Sequence, residues 1–277
     1  MLKLMYITNH PEVAQIAETA GVDRIFVDME FIGKDERQKG MDTVKSHHTF
    51  ADIAVIKEAV ETAEVLVRIN PIHKDVPGFP DTPEEIERAI AAGADILMLP
   101  YFKTLDEVKT FLQLVGPRVR TMLLLETPEA VEIVDEILAL PGIDEIHIGL
   151  NDLSIGYGKK FMFELLADGT VEQLCFKFRQ KGISYGFGGI ASLGRGMLPS
   201  EYIIKEHYRL GSQCVILSRS FCDVNKLHHI GIINKTFLRG VREIRELERE
   251  CAAHSVFFDQ NRAELQKKVA AICAALG

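Results

Sequence analysis

The chain has 277 residues, of which 47% are hydrophobic, so it is long enough for one large core and typical of a single α/β barrel domain. Its 40 acidic and 32 basic residues give a formal net charge of −8, and because no element carries a basic excess, the sequence argues against a nucleic-acid partner. No apolar run reaches the ~18–20 residues of a membrane helix, and the N-terminal stretch lacks a signal-peptide cleavage site. The five cysteines are odd in number and none has CxxC spacing, which argues against a disulfide framework or a zinc knuckle. We therefore expect no membrane partner, reduced thiols and a cytoplasmic location.

Eight short apolar runs recur along the chain, and stretches with helical periodicity separate them. The runs are nearly continuous in Val, Ile, Leu, Met and Phe, whereas a strand with one exposed face would alternate apolar and polar residues. Strands buried on both faces are typical of a parallel sheet, so we predict eight parallel strands. They cover residues 2–8, 24–30, 65–70, 96–101, 121–126, 145–150, 183–187 and 213–218.

The stretches between the strands begin and end at residues that favour helix ends. The predicted helices 11–20 and 199–210 are followed by Gly21 and Gly211, and glycine is favourable just after a helix. The predicted helices 104–114 and 127–140 begin at a threonine with acidic residues close behind, as suits the positive end of a helix dipole. The segments AGVDRIFV (20–27) and AGADILML (92–99) repeat one order of helix end, glycine turn and buried strand.

Eight β-α units in a chain of this length predict the α/β class and a (β/α)8 TIM barrel. The main alternative is a doubly wound open sheet, which usually has a glycine-rich phosphate turn after its first strand. Here the first strand is followed by Thr8-Asn9-His10-Pro11, without a glycine.

We expect residues 1–222 to form the barrel core and residues 223–277 to add two helices, at about 230–253 and 260–276. One helix completes the eighth unit and the second is extra. The extra helix carries an apolar stripe that must be covered, either by its own barrel or by a neighbouring subunit. The stripe consists of Leu265, Val269, Ile272 and Leu276.

Charged and polar residues follow the predicted strands, where the active-site face of a barrel lies. Buried strands rarely end in so many charges, so we expect these residues to converge on one mouth. Lys103 among them is a candidate for a Schiff base, or simply an exposed residue at the start of a loop. The set is Asp28, Glu30, Arg68, Asn70, Tyr101, Lys103, Glu126, Asn151, Asp152 and Arg219.

Glu126 and Asp152 are the candidate metal ligands. Two carboxylates at one mouth suit a hard divalent cation, Mg²⁺ or Mn²⁺. Alternatively, Glu126 alone could interact with the positive end of the dipole of the following helix. Arg68 can hold a carboxylate or an enolate oxygen by two hydrogen bonds, or form a structural ion pair with Asp28 or Glu30.

The segments VDME (27–30), VRIN (67–70), AGADILMLPYFKT (92–104), LLLETPEAVE (123–132) and IGLNDLS (148–154) resemble the HpcH/HpaI aldolase family, which is related to citrate lyase beta subunits. The resemblance covers roughly residues 1–222. It implies a metal-dependent carbon–carbon lyase, of the class II 2-oxo acid aldolase type, that works through an enolate stabilised by the metal. It further implies Glu126 and Asp152 as metal ligands, Arg68 at the substrate oxyanion, and backbone amides around Asn151 and Asp152 at the substrate carboxylate. Family members commonly form hexamers, so the resemblance also implies a homo-oligomer, a trimer or hexamer.

The chain departs from the family pattern at Phe31, where the pyruvate aldolases have a histidine paired with the aspartate that matches Asp28. A replacement could come from His47 or His48, and we take His48 together with Asp28 and Arg68 as candidate catalytic residues. The alternative is that both histidines are solvent-facing residues before a helix that begins near Thr49. The citrate-lyase-like branch also lacks that histidine. An acyl-CoA lyase of the citrate or malyl-CoA kind and a non-catalytic metabolite-binding barrel therefore stand as alternative functions.

Overall fold

The computed structural model describes residues 1–34, 47–224, 229–254 and 257–276. Eight parallel strands in chain order close into a barrel, with the last strand pairing with the first. The predicted TIM barrel and all eight of its strands are thus confirmed. The strands are β1 Lys3–Ile7, β2 Arg24–Asp28, β3 Glu64–Arg68, β4 Ile96–Leu99, β5 Arg120–Leu125, β6 Glu145–Ile148, β7 Ser184–Ile190 and β8 Cys214–Leu217.

Twelve helices lie in the described ranges, most of them between successive strands on the outside of the barrel. They are α1 Pro11–Thr19, α2 Phe50–Ala59, α3 Thr82–Ala91, α4 Leu105–Val115, α5 Pro128–Glu132, α6 Val134–Ile137, α7 Leu150–Gly156, α8 Glu164–Ala167, α9 Thr170–Gln180, α10 Ser200–Leu210, α11 Ile230–Ala253 and α12 Phe257–Ala275. No helix within these ranges is long and apolar enough to cross a membrane.

Two predicted elements differ from the structure in ways that the local sequence explains. The predicted helix 127–140 is two short helices, because Ile133 has non-helical angles (φ −100°, ψ 16°) in a segment rich in β-branched residues, which weaken a helix. Strand β7 continues to Ile190 through three glycines, with an irregular register between Gly186 and Gly189. A glycine run is more typical of a loop, so the sequence predicted too short a strand.

Side chains fill the interior of the barrel. They also close its lower end, where the strands begin. An inner apolar cluster packs inside the strands, and a larger one fills the space between strands and helices. At the lower end, Arg24 is fully buried and donates to both carboxylate oxygens of Glu145, at 2.8 and 2.6 Å, and to Glu64 at 3.0 Å. The opposite mouth, where the strands end, is the face at which barrel enzymes have their active sites.

The C-terminal helices pack on the barrel of their own chain. Helix α11 contacts α1 and α10, and α12 contacts α10 and α8. Leu265 and Val269, the first half of the predicted apolar stripe, are buried by these contacts, whereas Leu276 at the end of the stripe remains 49% exposed. The five cysteines are free thiols.

Candidate active site

Arg68 lies at the centre of a buried group of charges at the ends of β2 and β3. Asp28 and Arg68 are paired residues on these neighbouring strands, so the Nε and Nη2 of Arg68 each donate to an Asp28 carboxylate oxygen at 2.8 Å. Arg68 Nη1 lies 3.3 Å from Glu30, and Lys34 Nζ lies 2.9 Å from Asp28 and 3.4 Å from Glu30. We call these four residues the Arg68 cluster. It sets two cations against two anions with little access to water.

The Arg68 cluster fixes the ionisation of its members. Burial alone would raise the pKa of the Asp28 carboxyl, but Arg68 and Lys34 hold that pKa well below its usual range. Burial lowers the pKa of Arg68, yet Asp28 and Glu30 raise it above its ordinary value, and the nearby Glu126 acts in the same direction. A carboxylate with so low a pKa is a weak base, so the geometry favours a positioning role for Asp28.

The Arg68 cluster is expected to make stability depend on pH in the acid range. The pKa of Asp28 is lower in the folded protein than its ordinary value of 3.8, so its contribution is fully present above about pH 4 and is lost as the pH falls further. We expect the difference in free energy of unfolding between the native protein and Asp28→Asn, from urea denaturation, to be largest at neutral pH and to shrink below about pH 4. Asp106→Asn, whose parent side chain is 91% exposed, is the matched control and should change stability by less than about 0.5 kcal/mol. A difference for Asp28→Asn that stayed constant down to about pH 3 would contradict this account.

Glu126 and Asp152 line one pocket of about 440 Å³. Glu126 follows β5 directly and is buried, and its Oε1 accepts a hydrogen bond from the Tyr101 backbone N–H at 3.0 Å. Asp152 is half-buried and accepts from Asn151 Nδ2 at 3.1 Å. The predicted strand 145–150 ends at Ile148, so Asn151 and Asp152 lie in the first turn of α7, where backbone N–H groups lack acceptors within the helix.

Two unusual backbone features hold the Glu126 carboxylate in place. A Cβ atom built on Gly149 would lie 2.6 Å from Glu126 Oε2 and 2.7 Å from Glu126 Cβ, so only glycine leaves room for the carboxylate beside the start of α7. Tyr101, which donates to the same carboxylate, has a φ of +48°, a left-handed conformation that is uncommon for a bulky residue. Such strain is tolerated where the surrounding structure fixes the residue, often at functional sites.

The donor set fits a hard divalent cation. Mg²⁺ commonly takes one or two protein carboxylates and completes its shell with water and substrate, and Glu126 and Asp152 offer two. Among the residues that the structure describes, no group of three or more His, Cys, Asp or Glu side chains could hold a metal ion. Glu126 and Asp152 would be the two protein ligands of such an ion.

Gly149→Ala is expected to weaken divalent-metal binding. Gly149 has a φ of −80°, which alanine adopts without strain, so the effect should come from the added methyl group displacing Glu126. We expect the Mn²⁺ dissociation constant, measured by electron paramagnetic resonance, to rise by about tenfold or more. The control Gly158→Ala adds a methyl group with nothing within 4 Å, and although its φ of +66° will cost some stability, it should leave metal affinity unchanged. Unchanged Mn²⁺ affinity in Gly149→Ala would show that Glu126 is not a ligand.

His48 contacts the backbone of Asp28 at the end of β2 and not its carboxylate. The backbone N–H of Asp28 donates to His48 Nδ1 at 3.0 Å, and the imidazole is half-buried. Burial lowers the pKa of His48 below its ordinary value, although the carboxylates of Asp28 and Asp52 oppose this. The predicted helix start near Thr49 is confirmed, since Thr49 and Asp52 form a reciprocal capping box at the start of α2.

His47 takes a different place from His48. Its ring packs on Phe31, with ring centroids 5.2 Å apart, and Phe31 stacks on Phe79 at 5.7 Å. Phe31 is thus part of a small aromatic group, and of the two histidines His48 is the one hydrogen-bonded to Asp28.

Sequence reasoning missed Lys34 and Glu85. Lys34 begins a stretch rich in charged residues, and Glu85 lies in the first turn of a helix. Both positions are typical of exposed side chains. Glu85 is 1% exposed, and its Oε1 accepts from both the backbone N–H and Nδ2 of Asn70, at 3.1 and 2.8 Å. Asn70 Oδ1 in turn accepts from the backbone N–H groups of Phe31 and Ile32, which holds the turn after β2. Asn70 at a strand end was the available indication of this network.

Lys103 does not suit a Schiff-base mechanism. Its side chain is 43% exposed, and its ammonium group lies 2.8 Å from Glu129. The hydrogen bond to Glu129 raises the pKa of Lys103, so the amine stays protonated, whereas Schiff-base formation needs it neutral.

Comparison with solved structures finds the same architecture in proteins of distant sequence. A HpcH/HpaI aldolase/citrate lyase family protein from Burkholderia cenocepacia is 18% identical with a TM-score of 0.61, over 88% of this chain and 94% of that one. A HpcH/HpaI aldolase from Desulfitobacterium hafniense is 17% identical with a TM-score of 0.61, over 84% and 93%. The citrate lyase beta subunit of M. tuberculosis, complexed with oxaloacetate and magnesium, is 18% identical with a TM-score of 0.55, over 85% and 96%. At such low identity these likenesses show a shared fold.

Sequence comparison gives the family. The comparison with curated proteins found no match. The family model described as HpcH/HpaI aldolase/citrate lyase matches residues 3–164, more than half of the chain, and that range includes the Arg68 cluster, Glu126 and Asp152. The chain therefore belongs to the HpcH/HpaI aldolase/citrate lyase family.

Proposed function

We propose that the protein is a divalent-metal-dependent carbon–carbon lyase that cleaves or forms the bond next to a 2-oxo acid, as a class II aldolase does. The observation that carries the proposal is that Glu126 and Asp152 line one pocket. Glu126 is also close enough to Arg68 to raise the pKa of its guanidinium. Glu126 and Asp152 would hold Mg²⁺ or Mn²⁺, which when bound supplies Lewis-acid stabilisation of negative charge on the 2-oxo oxygen.

Arg68 and the start of α7 would hold the substrate. The Arg68 guanidinium is fixed by Asp28 and Glu30, so it can face a developing enolate oxygen with little reorganisation. The backbone N–H groups of Asn151 and Asp152 are suited to accept the substrate carboxylate, because helix N-termini favour anions. The complex of the M. tuberculosis citrate lyase beta subunit with oxaloacetate, itself a 2-oxo acid, and magnesium supports this class of ligand.

A second candidate is an acyl-CoA lyase of the citrate or malyl-CoA kind. The observation that favours it is Phe31, because a histidine is absent from the position where the pyruvate aldolases have one. The same metal and arginine would serve both reactions, so substrate tests must separate them.

We also propose that residues 223–277 contribute to a homo-oligomer. Phe257 and Leu276, near the two ends of α12, are 53% and 49% exposed and so offer apolar side chains to a neighbouring subunit. Light scattering after gel filtration would show a trimer or hexamer, and a monomer at all concentrations would contradict the proposal.

The test of the function uses two assays. The first follows pyruvate release from a panel of 4-hydroxy-2-oxo acids, and glyoxylate or oxaloacetate release from malyl- and citryl-thioesters, with and without Mg²⁺ or Mn²⁺. The second follows exchange of the pyruvate methyl protons with deuterium by NMR, which reports enolate formation without any acceptor. Release and exchange that depend on metal and stop with EDTA would support the aldolase. Cleavage of thioesters alone would favour the second candidate, and inactivity in both assays despite tight metal binding would favour a binding protein.

A further inference from the structure

His48 lies at the mouth of the barrel, where its Nδ1 accepts a hydrogen bond from the backbone N–H of Asp28. Resting on the proposed function, we infer that His48 acts as a neutral hydrogen-bond donor, through Nε2–H, to the carbonyl oxygen of the acceptor aldehyde, and that it is not the base.

The tautomer of His48 follows from the bond to β2. The backbone N–H of Asp28 is permanently a donor, and it points at Nδ1 from 3.0 Å, so Nδ1 must present its lone pair. The proton of a neutral imidazole then resides on Nε2. A neutral ring in this state has no lone pair left to accept a substrate proton, because the remaining nitrogen already carries one.

Burial is the main reason that His48 stays neutral. A proton added at Nδ1 would face the Asp28 N–H and break that hydrogen bond. The groups that act on the ring are Asp28 and Asp52, which favour a positive charge, and His10 and Lys34, which oppose it. Together with burial they leave the pKa below its ordinary value of 6.5, so the neutral donor form prevails at neutral pH.

The position of His48 is fixed by elements on both sides. Asp28 holds Nδ1, while the capping box of Thr49 and Asp52 immediately follows His48. Asn9, in the loop after β1, donates through Nδ2 to Asp52 Oδ1 at 3.2 Å and so ties the start of α2 to the rim of the barrel. The ring thus lies beside the ends of β1 and β2, with Nε2–H directed away from the β2 backbone.

In bond formation the enolate carbon of the 2-oxo acid attacks the aldehyde carbon. The electron pair of the enolate C=C bond becomes the new carbon–carbon bond, and the carbonyl π pair becomes a lone pair on the former aldehyde oxygen. Nε2–H donates a hydrogen bond to that oxygen as its charge grows, and water then supplies the proton that completes the hydroxyl. Cleavage follows the same steps in reverse, with the hydroxyl proton returning to water.

Three substitutions separate a donor from a base. His48→Gln can place an amide N–H near the position of Nε2 but cannot titrate. His48→Asn can still accept from the Asp28 N–H but does not reach the substrate, and His48→Ala does neither. His47→Gln is the matched control, because His47 packs on Phe31 and makes no hydrogen bond to Asp28.

The wild type is first assayed for metal-dependent pyruvate release and proton exchange, and failure there rejects the proposed function before any variant is made. With an active wild type, we expect kcat/KM for cleavage to decline at acid pH, because protonation of Nδ1 breaks the bond to the Asp28 N–H and displaces the ring. His48→Gln should keep kcat/KM within about tenfold and lack that decline, whereas Asn and Ala lose about 10²–10³-fold. Proton exchange of pyruvate should stay within about threefold in all three variants, because no acceptor takes part in it. Equal loss of cleavage in Gln and Ala, loss of exchange, or wild-type cleavage in all three would each overturn the inference.

Discussion

Glu126→Gln is expected to lose divalent-metal binding and lyase activity while the protein stays folded. Glutamine keeps the shape of the side chain and can still accept the hydrogen bond from the Tyr101 N–H, but it lacks the negative charge that a hard cation requires. Since a metal in this role stabilises the transition state by several kcal/mol, we expect kcat/KM for pyruvate release to fall by about 10³-fold or more. Isothermal titration with Mn²⁺ should show the loss of affinity directly.

Glu132→Gln is the matched control for this experiment. Glu132 lines the same pocket but is exposed, so its replacement should change kcat/KM by no more than about threefold. Asp152→Ala should reproduce the loss of both metal binding and activity, because Asp152 lines the same pocket and supplies the second carboxylate. If Glu126→Gln bound Mn²⁺ as tightly as the native protein, the assignment of the ligand pair would be wrong.

Arg68→Met is expected to be the most destabilising single substitution at the mouth of the barrel. It leaves Asp28 and Glu30, both buried, with Lys34 as the one remaining cation of the Arg68 cluster. Removing one partner from a buried network of charges costs about 3–5 kcal/mol, so the free energy of unfolding in urea should fall by that amount. Arg242→Met, which removes an exposed ion pair with Glu246, is the control and should cost about 1 kcal/mol or less.

Arg68→Lys keeps the positive charge and separates catalysis from folding. Lysine cannot reproduce the two parallel hydrogen bonds to Asp28, so its ammonium group will not be held in one orientation. We expect a folded protein whose kcat/KM falls by about 10²-fold, as for loss of one oriented donor at a developing oxyanion. Full activity in Arg68→Lys would limit Arg68 to a structural role.

The barrel was predictable because its signal is local. Each buried parallel strand is a short continuous apolar run, and helical stretches separate the runs. These local patterns were enough to predict all eight strands. The errors came where local preference and tertiary context disagree. Strand β7 runs through its glycines because Gly186 pairs with both β6 and β8 and Gly189 pairs with β8, and nothing within the segment itself indicates that pairing.

The candidate site was predictable as a set of residues but not as an arrangement. Charged residues after apolar runs identified Arg68, Glu126 and Asp152, because strand ends of a parallel barrel meet at one mouth. The roles of Asp28, His48 and Lys34 depend on contacts between residues 6 to 40 positions apart. Such contacts cannot be predicted from the pattern of neighbouring residues. The requirement for glycine at position 149 likewise became visible only when the Glu126 carboxylate was found beside it.

The sequence by itself determined the fold class, the strand order and the residues at the mouth of the barrel, because burial on both faces leaves a pattern in neighbouring residues. Only the tertiary structure decided which of these residues are paired, and therefore which are ionised. The pairing of Asp28 with Arg68 and Lys34 holds that carboxyl ionised, and the Asp28 N–H fixes the tautomer of His48. Charge state is set by what surrounds a group in space, and the surroundings of these groups come from separate segments of the chain.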